Sequence, residues 1–155
     1  MVNGCYHMNK KSSTKDLSLS SNERLSLKNG SIFFPKKFRD LKPNSFKIYT
    51  FNAGFKKKFD DLMIIIFDKP VNVSTVYSKT TTPSAPIIWD KQNNKKTVKA
   101  LIVNSGNANA HTGKKGIKVI DFYVNHLIRL LSCKKSEVLV SSTGVIGESL
   151  EPRLI

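Results

Sequence analysis

Apolar and polar residues alternate over Phe46, Lys47, Ile48, Tyr49, Thr50 and Phe51, the pattern of a strand with one face buried. Asn52, Ala53 and Gly54 then read as a turn. After Asp60 and Asp61 the pattern changes. Leu62, Met63, Ile64, Ile65, Ile66 and Phe67 form a continuous apolar run rich in β-branched residues, which predicts a strand buried on both faces. Asp68, Lys69 and Pro70 predict its end. Alternation returns over residues 71–77, with Val71, Val73 and Thr75 set against Asn72, Ser74 and Val76, and predicts a further strand. Pro83 and Pro86 exclude helix from the polar stretch at residues 80–84. Ile87, Ile88 and Trp89 make a short apolar anchor that opens a helix carrying Asp90 onward, and residues 93–96 read as a solvated loop.

The strongest patterning lies in residues 100–148. Residues 100–103 predict a buried strand. Asn104, Ser105, Gly106, Asn107 and Asn109 predict a fixed non-helical loop, because Asn and Ser side chains bond nearby backbone and Gly106 takes positive φ at little cost. From the residues alone this loop is equally a shaped site or a self-bonded turn. Ile117, Ile120, Val124, Leu127, Ile128 and Leu131 recur at the helical period and predict an amphipathic helix over residues 115–131. Lys118, Asp121, Asn125 and Arg129 fall on its other face, and Lys134 and Lys135 follow its C-terminal end, where positive charge meets the helix dipole favourably. Residues 138–142 predict another strand. Strand, helix and strand within residues 100–142 have the length of a βαβ unit, which predicts parallel strands and a right-handed crossover. His126 borders the apolar stripe as a partly buried surface residue, and His111 has no partner at a telling spacing, so neither is assigned a role.

Outside this region the signals are weak. Residues 1–44 predict a basic, Ser- and Lys-rich extension, disordered or loosely attached, in which Leu17, Leu19, Leu25 and Leu27 are too sparse for a core. It lacks the apolar core of a secretory signal, and Asp16 and Glu23 argue against an organellar transit peptide. Ordered structure is expected over residues 45–155. The chain has 155 residues and a net charge of +15, with Lys spread along it and no aromatic-basic motif. Surface decoration accounts for that charge better than a nucleic-acid site does. No apolar run approaches the roughly 20 residues that span a bilayer, so no membrane partner is expected. Cys5 and Cys133 form no metal or redox pattern, and a reduced, cytoplasmic compartment is the default.

Two stretches resemble one enzyme family. The first is Ala100-Leu101-Ile102-Val103-Asn104-Ser105-Gly106-Asn107-Ala108-Asn109-Ala110, followed by Thr112-Gly113 and Lys115-Gly116. The second is Ser142-Thr143-Gly144-Val145-Ile146-Gly147-Glu148. Together with Ala53-Gly54-Phe55-Lys56, Asp61-Leu62, Val76-Tyr77-Ser78 and Ala85-Pro86, they resemble the glutamate N-acetyltransferase / ornithine acetyltransferase family of arginine biosynthesis, over roughly residues 46–155. His111 and Lys79-Thr80-Thr81 depart from its pattern.

The resemblance implies a layered α/β sandwich of the autoproteolysing Thr-nucleophile aminopeptidase/ornithine acetyltransferase type, incomplete at its C-terminus. It implies acetyl transfer from N-acetylornithine to glutamate by an N-terminal Thr whose own amine serves as base. It assigns the oxyanion hole to Thr143 and Gly144: a hydroxyl donor, and a backbone N–H approachable without a Cβ in the way. The nucleophile and substrate-clamping residues follow this motif in the family. The chain is therefore expected to act with a β chain bearing the Thr, in an α/β heterotetramer, and to be inactive alone. No cofactor is implied, and acetyl-CoA stays open as a second donor. The alternatives are a related autoproteolytic aminopeptidase, a basic nucleic-acid-binding module, and a truncated product that folds poorly.

Overall fold

The computed structural model describes residues 45–155, and the expectation for residues 1–44 lies outside the described residues. Among the described residues, four strands and two helices follow in the order β1 (Phe46–Phe51), β2 (Leu62–Asn72), α1 (Ala85–Asn93), β3 (Thr97–Asn107), α2 (Gly113–Leu131) and β4 (Val138–Val145). Short 3-10 turns occupy Lys135–Glu137 and Pro152–Leu154. The strands form one sheet in the order β1-β2-β3-β4. β1 and β2, and β2 and β3, pair antiparallel, whereas β3 and β4 pair parallel across α2, as the βαβ pattern predicts. The α/β class expected from the sequence is the one observed.

Both helices cover one face. Ile120, Tyr123, Val124 and Leu127 of α2, with Ala85 and Trp89 of α1, pack onto Leu62, Ala100, Ile102, Val138 and Val140. Strand alternation puts Met63, Ile65, Leu101, Val103 and Leu139 on the opposite face, outside that cluster. The expectation that residues 62–67 are buried on both faces is corrected by this arrangement. Leu62 is buried while residues 63–67 are half-buried, because both helices pack on the same side.

Two strand boundaries also need correction. Asp68, Lys69 and Pro70 do not end β2; it continues to Asn72 through a register irregularity between Ile66 and Val71. Proline is tolerated at such a bulge, where the ladder does not require its missing N–H. Residues 71–77 do not form a separate strand. Only Val71 and Asn72 pair with β3, and Val76 is fully exposed, so alternation there reflects no buried face. α1 opens at Ala85 with Pro86 in its first turn, where a missing N–H costs nothing. α2 begins two residues before its expected start and adds Gly116 and Tyr123 to the buried face. It ends at Ser132 in the left-handed region, φ 49°. Lys135 does not serve the helix end. It pairs with Asp121 and lies 4.5 Å from the centre of the Trp89 ring. His126 is exposed, with Nδ1 2.8 Å from the Phe122 carbonyl oxygen.

α1 also shields the outer edge of the sheet. Asp90 Oδ1 accepts the Val140 amide of β4 at 3.1 Å, and Asn94 Nδ2 donates to the Ser136 carbonyl at 3.3 Å. An open strand edge exposes unpaired backbone groups, and Asp90 satisfies one of them while Asn94 bonds the turn that precedes β4.

Candidate functional site

Both strand ends run further than the hydrophobic pattern predicts. β3 continues through Asn107 and β4 through Val145, so Thr143 and Gly144 lie in a strand and not in a turn. Asn104 does not break β3 because its side chain spans the strand end, with Nδ2 donating to the Asn107 carbonyl at 2.8 Å. The parallel register sets Ser105 beside Thr143 and Gly106 beside Gly144. The two glycines have φ +121° and +130°. A Cβ on Gly144 would overlap the Gly106 carbonyl and come within 2.7 Å of Asn107 N, so backbone lies against backbone at this point.

Beyond the glycines the two chains stay joined. Ala108 N donates to the Val145 carbonyl and Gly147 N to the Ala110 carbonyl, each at 2.9 Å. Asn107 Nδ2 donates to the Glu148 carbonyl at 3.2 Å, while its Oδ1 accepts from Asn109 N at 2.8 Å. Asn109, fully buried, ties this bend to both helices. Its carbonyl accepts from Ala85 N, its Nδ2 donates to the Gly116 carbonyl, and its Oδ1 accepts from the Thr112 hydroxyl at 2.8 Å. The loop open to two readings in the sequence is thus a self-bonded structure, and it holds the ends of β3 and β4 in fixed relation.

Thr143 and Gly144 are exposed at this fixed end, and the Thr143 side chain makes no hydrogen bond among the described residues. Thr143 shares with Ser105 the sheet face opposite the helices. A third group arrives there from far along the chain. Lys56 Nζ donates to Ser105 Oγ at 2.7 Å. The loop bearing Lys56 is wrapped around the buried Asp61 carboxylate, which accepts Ala53 N and Lys56 N, each at 2.6 Å. Asn52 Nδ2 closes the same loop on the carbonyls of Lys56 and Phe59. Lys56 and Asp61 appear in the sequence only as fragments of the resemblance. An acidic residue directly before an apolar strand is the one local signal that could have pointed to the loop.

The other candidate groups lie elsewhere. His111 lines an open cleft of about 520 Å³ with Thr82, Ile88, Lys114 and Ile117 at the start of α2. A second cleft of about 400 Å³ lies between α2 and Pro152–Leu154, beside Phe122, Tyr123 and Arg153. Neither is lined by Thr143 or Gly144. Burial, more than the nearby Glu137, pushes the Cys133 thiol up, against the nucleophilic form. Burial raises the Asp90 carboxyl to about 7, with the Val140 amide opposing. Burial foremost, and then the Asp90 charge, raises the Tyr123 phenol. Among the described residues, no group of three or more His, Cys, Asp or Glu side chains is placed to hold a metal ion. No helix there is long and apolar enough to cross a membrane.

A mixed α/β unit with small polar residues and exposed donors at the ends of the parallel pair β3 and β4, at one edge of the sheet, belongs with proteins that place chemistry on strand-end loops. Residues 47–155 match the ArgJ family, and the chain belongs to that family. It is 40% identical over 121 residues to the arginine biosynthesis bifunctional protein ArgJ of Bartonella henselae, covering 76% of this chain and 30% of that protein. To its counterpart in Agrobacterium fabrum it is 37% identical over 120 residues, covering 76% and 29%. Two solved structures are similar. One is the arginine biosynthesis bifunctional protein of Bacillus halodurans, with a TM-score of 0.68 and 31% identity over 72% of this chain and 59% of that one. The other is ornithine acetyltransferase of Mycobacterium tuberculosis complexed with ornithine, with a TM-score of 0.66 and 29% identity over 72% and 63%. The chain spans about 30% of the length of the curated relatives it matches.

Proposed function

We propose that this chain supplies the oxyanion-stabilising part of an acetyltransferase of arginine biosynthesis, which moves acetyl from N-acetylornithine to glutamate. The observation that carries the reading is the family motif at Thr143 and Gly144, exposed at a strand end that the Gly106 contact and the Asn107–Asn109 bonds hold rigid. The similar Mycobacterium tuberculosis enzyme was solved as a complex with ornithine, which supports the substrate class. Family membership favours this reading over the aminopeptidase alternative.

In the proposed reaction a Thr hydroxyl attacks the acetyl carbonyl of N-acetylornithine. The amide C–N bond breaks, ornithine leaves with the transferred proton, and an acetyl ester remains on the Thr. The amine of glutamate then attacks that ester and regenerates the hydroxyl. Each half passes through a tetrahedral oxyanion. Thr143 Oγ1–H and Gly144 N–H are the donors proposed to face it, and donors fixed before the reaction stabilise such charge without reorganising. The nucleophile belongs, in this reading, to a β chain corresponding to the remaining length of the relatives. Exposed Val145 and Ile146 beside the donors support a covering segment there. An α/β heterotetramer in the cytoplasm, with acetyl-CoA as an optional second donor, completes the proposal.

The test combines the chain with the remaining segment of the Bartonella henselae relative and assays acetyl transfer from N-acetylornithine to glutamate. Thr143→Val should lower kcat by about 10²–10³, the usual effect of losing one oxyanion donor. Its melting temperature should stay unchanged, because Thr143 is exposed. Unchanged kcat in that variant would remove the reading.

A further inference from the structure

The described structure brings the Lys56 ammonium to Ser105, the residue beside Thr143 in the ladder, and three features fix it there. Asp61 accepts Ala53 N and Lys56 N, and Asn52 Nδ2 donates to the Lys56 carbonyl, so the backbone on either side of the Lys56 side chain is pinned. Gly106 leaves room for the loop to lie on β3: a Cβ there would come within 2.8 Å of Phe55 Cβ. The ammonium then spends one donor on Ser105 Oγ, 49 residues away, and has no carboxylate partner among the described residues. Ser105 is the residue paired with Thr143 across the parallel ladder and lies on the same face.

A lysine on a surface loop is ordinarily paired with a carboxylate or left free in water. Here the loop is folded so that a full positive charge rests on a hydroxyl. That hydroxyl accepts from Lys56 and so has its own hydrogen directed away from the ammonium. The geometry points to a positioning pair: Lys56 orients the Ser105 hydroxyl and sets positive charge beside Thr143, strengthening the site for a developing anion. This rests on the oxyanion reading of Thr143 and Gly144 and adds to it two residues that touch no reacting atom. A cation several ångströms from a forming oxyanion favours the transition state over the neutral substrate, so it acts on kcat more than on KM.

The experiment uses the same combined enzyme and the 155-residue chain alone. In the enzyme, Lys56→Met should lower kcat about tenfold to a hundredfold, below the effect typical of a direct donor, with KM for N-acetylornithine changed less than about threefold. Lys56→Arg should recover most of the loss, and Lys57→Met should leave kcat unchanged. Ser105→Ala combined with Lys56→Met should cost no more than the larger single change, as expected of residues acting as a unit. In the chain alone, Lys56→Met should move the amide resonances of Thr143 and Gly144 more than Lys57→Met does. If Thr143→Val lowers kcat while Lys56→Met leaves it within twofold, the pair is refuted and the oxyanion reading stands. If neither change lowers kcat, the oxyanion reading falls and takes the pair with it. If the combined enzyme proves inactive, unmoved Thr143 and Gly144 resonances in Lys56→Met overturn the pair by themselves.

Discussion

Asp90 Oδ1 accepts the Val140 amide hydrogen at 3.1 Å, so a buried carboxyl of α1 closes the outer edge of the strand that carries Thr143 three residues later. The groups around it are few. Tyr123 approaches from α2, and Lys135, beyond the helix, is engaged by the Trp89 ring and Asp121.

The first prediction concerns pH. Burial raises Asp90 from 3.8 to about 7 in the folded chain. A proton held more tightly when folded stabilises fully below about 3.8, and that stabilisation is lost as pH rises through about 7. Asp90→Asn keeps an acceptor for Val140 N and removes the charge. Its stability relative to the parent should therefore rise by about 2–4 kcal/mol between pH 4 and pH 8. Urea denaturation at several pH values measures the difference; a difference independent of pH would show that Asp90 is not the titrating group.

Gly144→Ala tests the close approach of β3 and β4. The residue has φ +130°, and a Cβ there overlaps the Gly106 carbonyl. Strain and displacement together should cost about 2–4 kcal/mol. A loss below about 0.5 kcal/mol in thermal or urea unfolding would mean that the strands separate at little cost.

Asn109→Ala should destabilise by about 1–3 kcal/mol, because it removes the buried Nδ2 bond to the Gly116 carbonyl and leaves the Thr112 hydroxyl without its acceptor. Hydrogen exchange locates the effect. Amides of residues 113–117 and 145–148 should lose protection while those of Ile64 and Ile65 keep theirs.

Asp61→Ala removes the carboxylate that accepts Ala53 N and Lys56 N. The loop at residues 52–60 should open, and trypsin should cut after Lys56, Lys57 or Lys58 at least about tenfold faster, since cleavage follows the open population. An unchanged cleavage rate would show that the Asn52 bonds suffice to hold the loop.

How much is legible depends on the kind of signal. Alternation locates β1 but misstates its burial: none of its residues is buried, and Phe46 and Ile48 pair with Phe67 and Ile65 on the face the helices leave uncovered. The buried stripe of α2 is plain because a repeated apolar spacing states which side is buried. The start of β2 is equally plain, but its end is not. Pro70 normally stops a strand, and only pairing with Thr97 and Val98 carries β2 past it. The alternation at residues 71–77 misleads, because no partner buries Val76. Thr143 and Gly144 stand out through their motif, yet their composition suggests a turn; parallel pairing with β3 draws them into a strand. Lys56 and Asp61 show no role in the sequence, since their bonds cross a loop whose path no periodicity encodes.

Taken alone, the order of amino acids determines the α/β character, the buried stripe of α2, the parallel βαβ unit and the family motif, because apolar periodicity and short motifs are properties of neighbouring residues. Folding decides the rest: Lys56 meets Ser105 across 49 residues, Asp90 meets Val140 across 50, and two glycines let β3 and β4 touch. Such meetings depend on strand register and helix placement. These are set by the packing of the whole core, and no local stretch of sequence contains them.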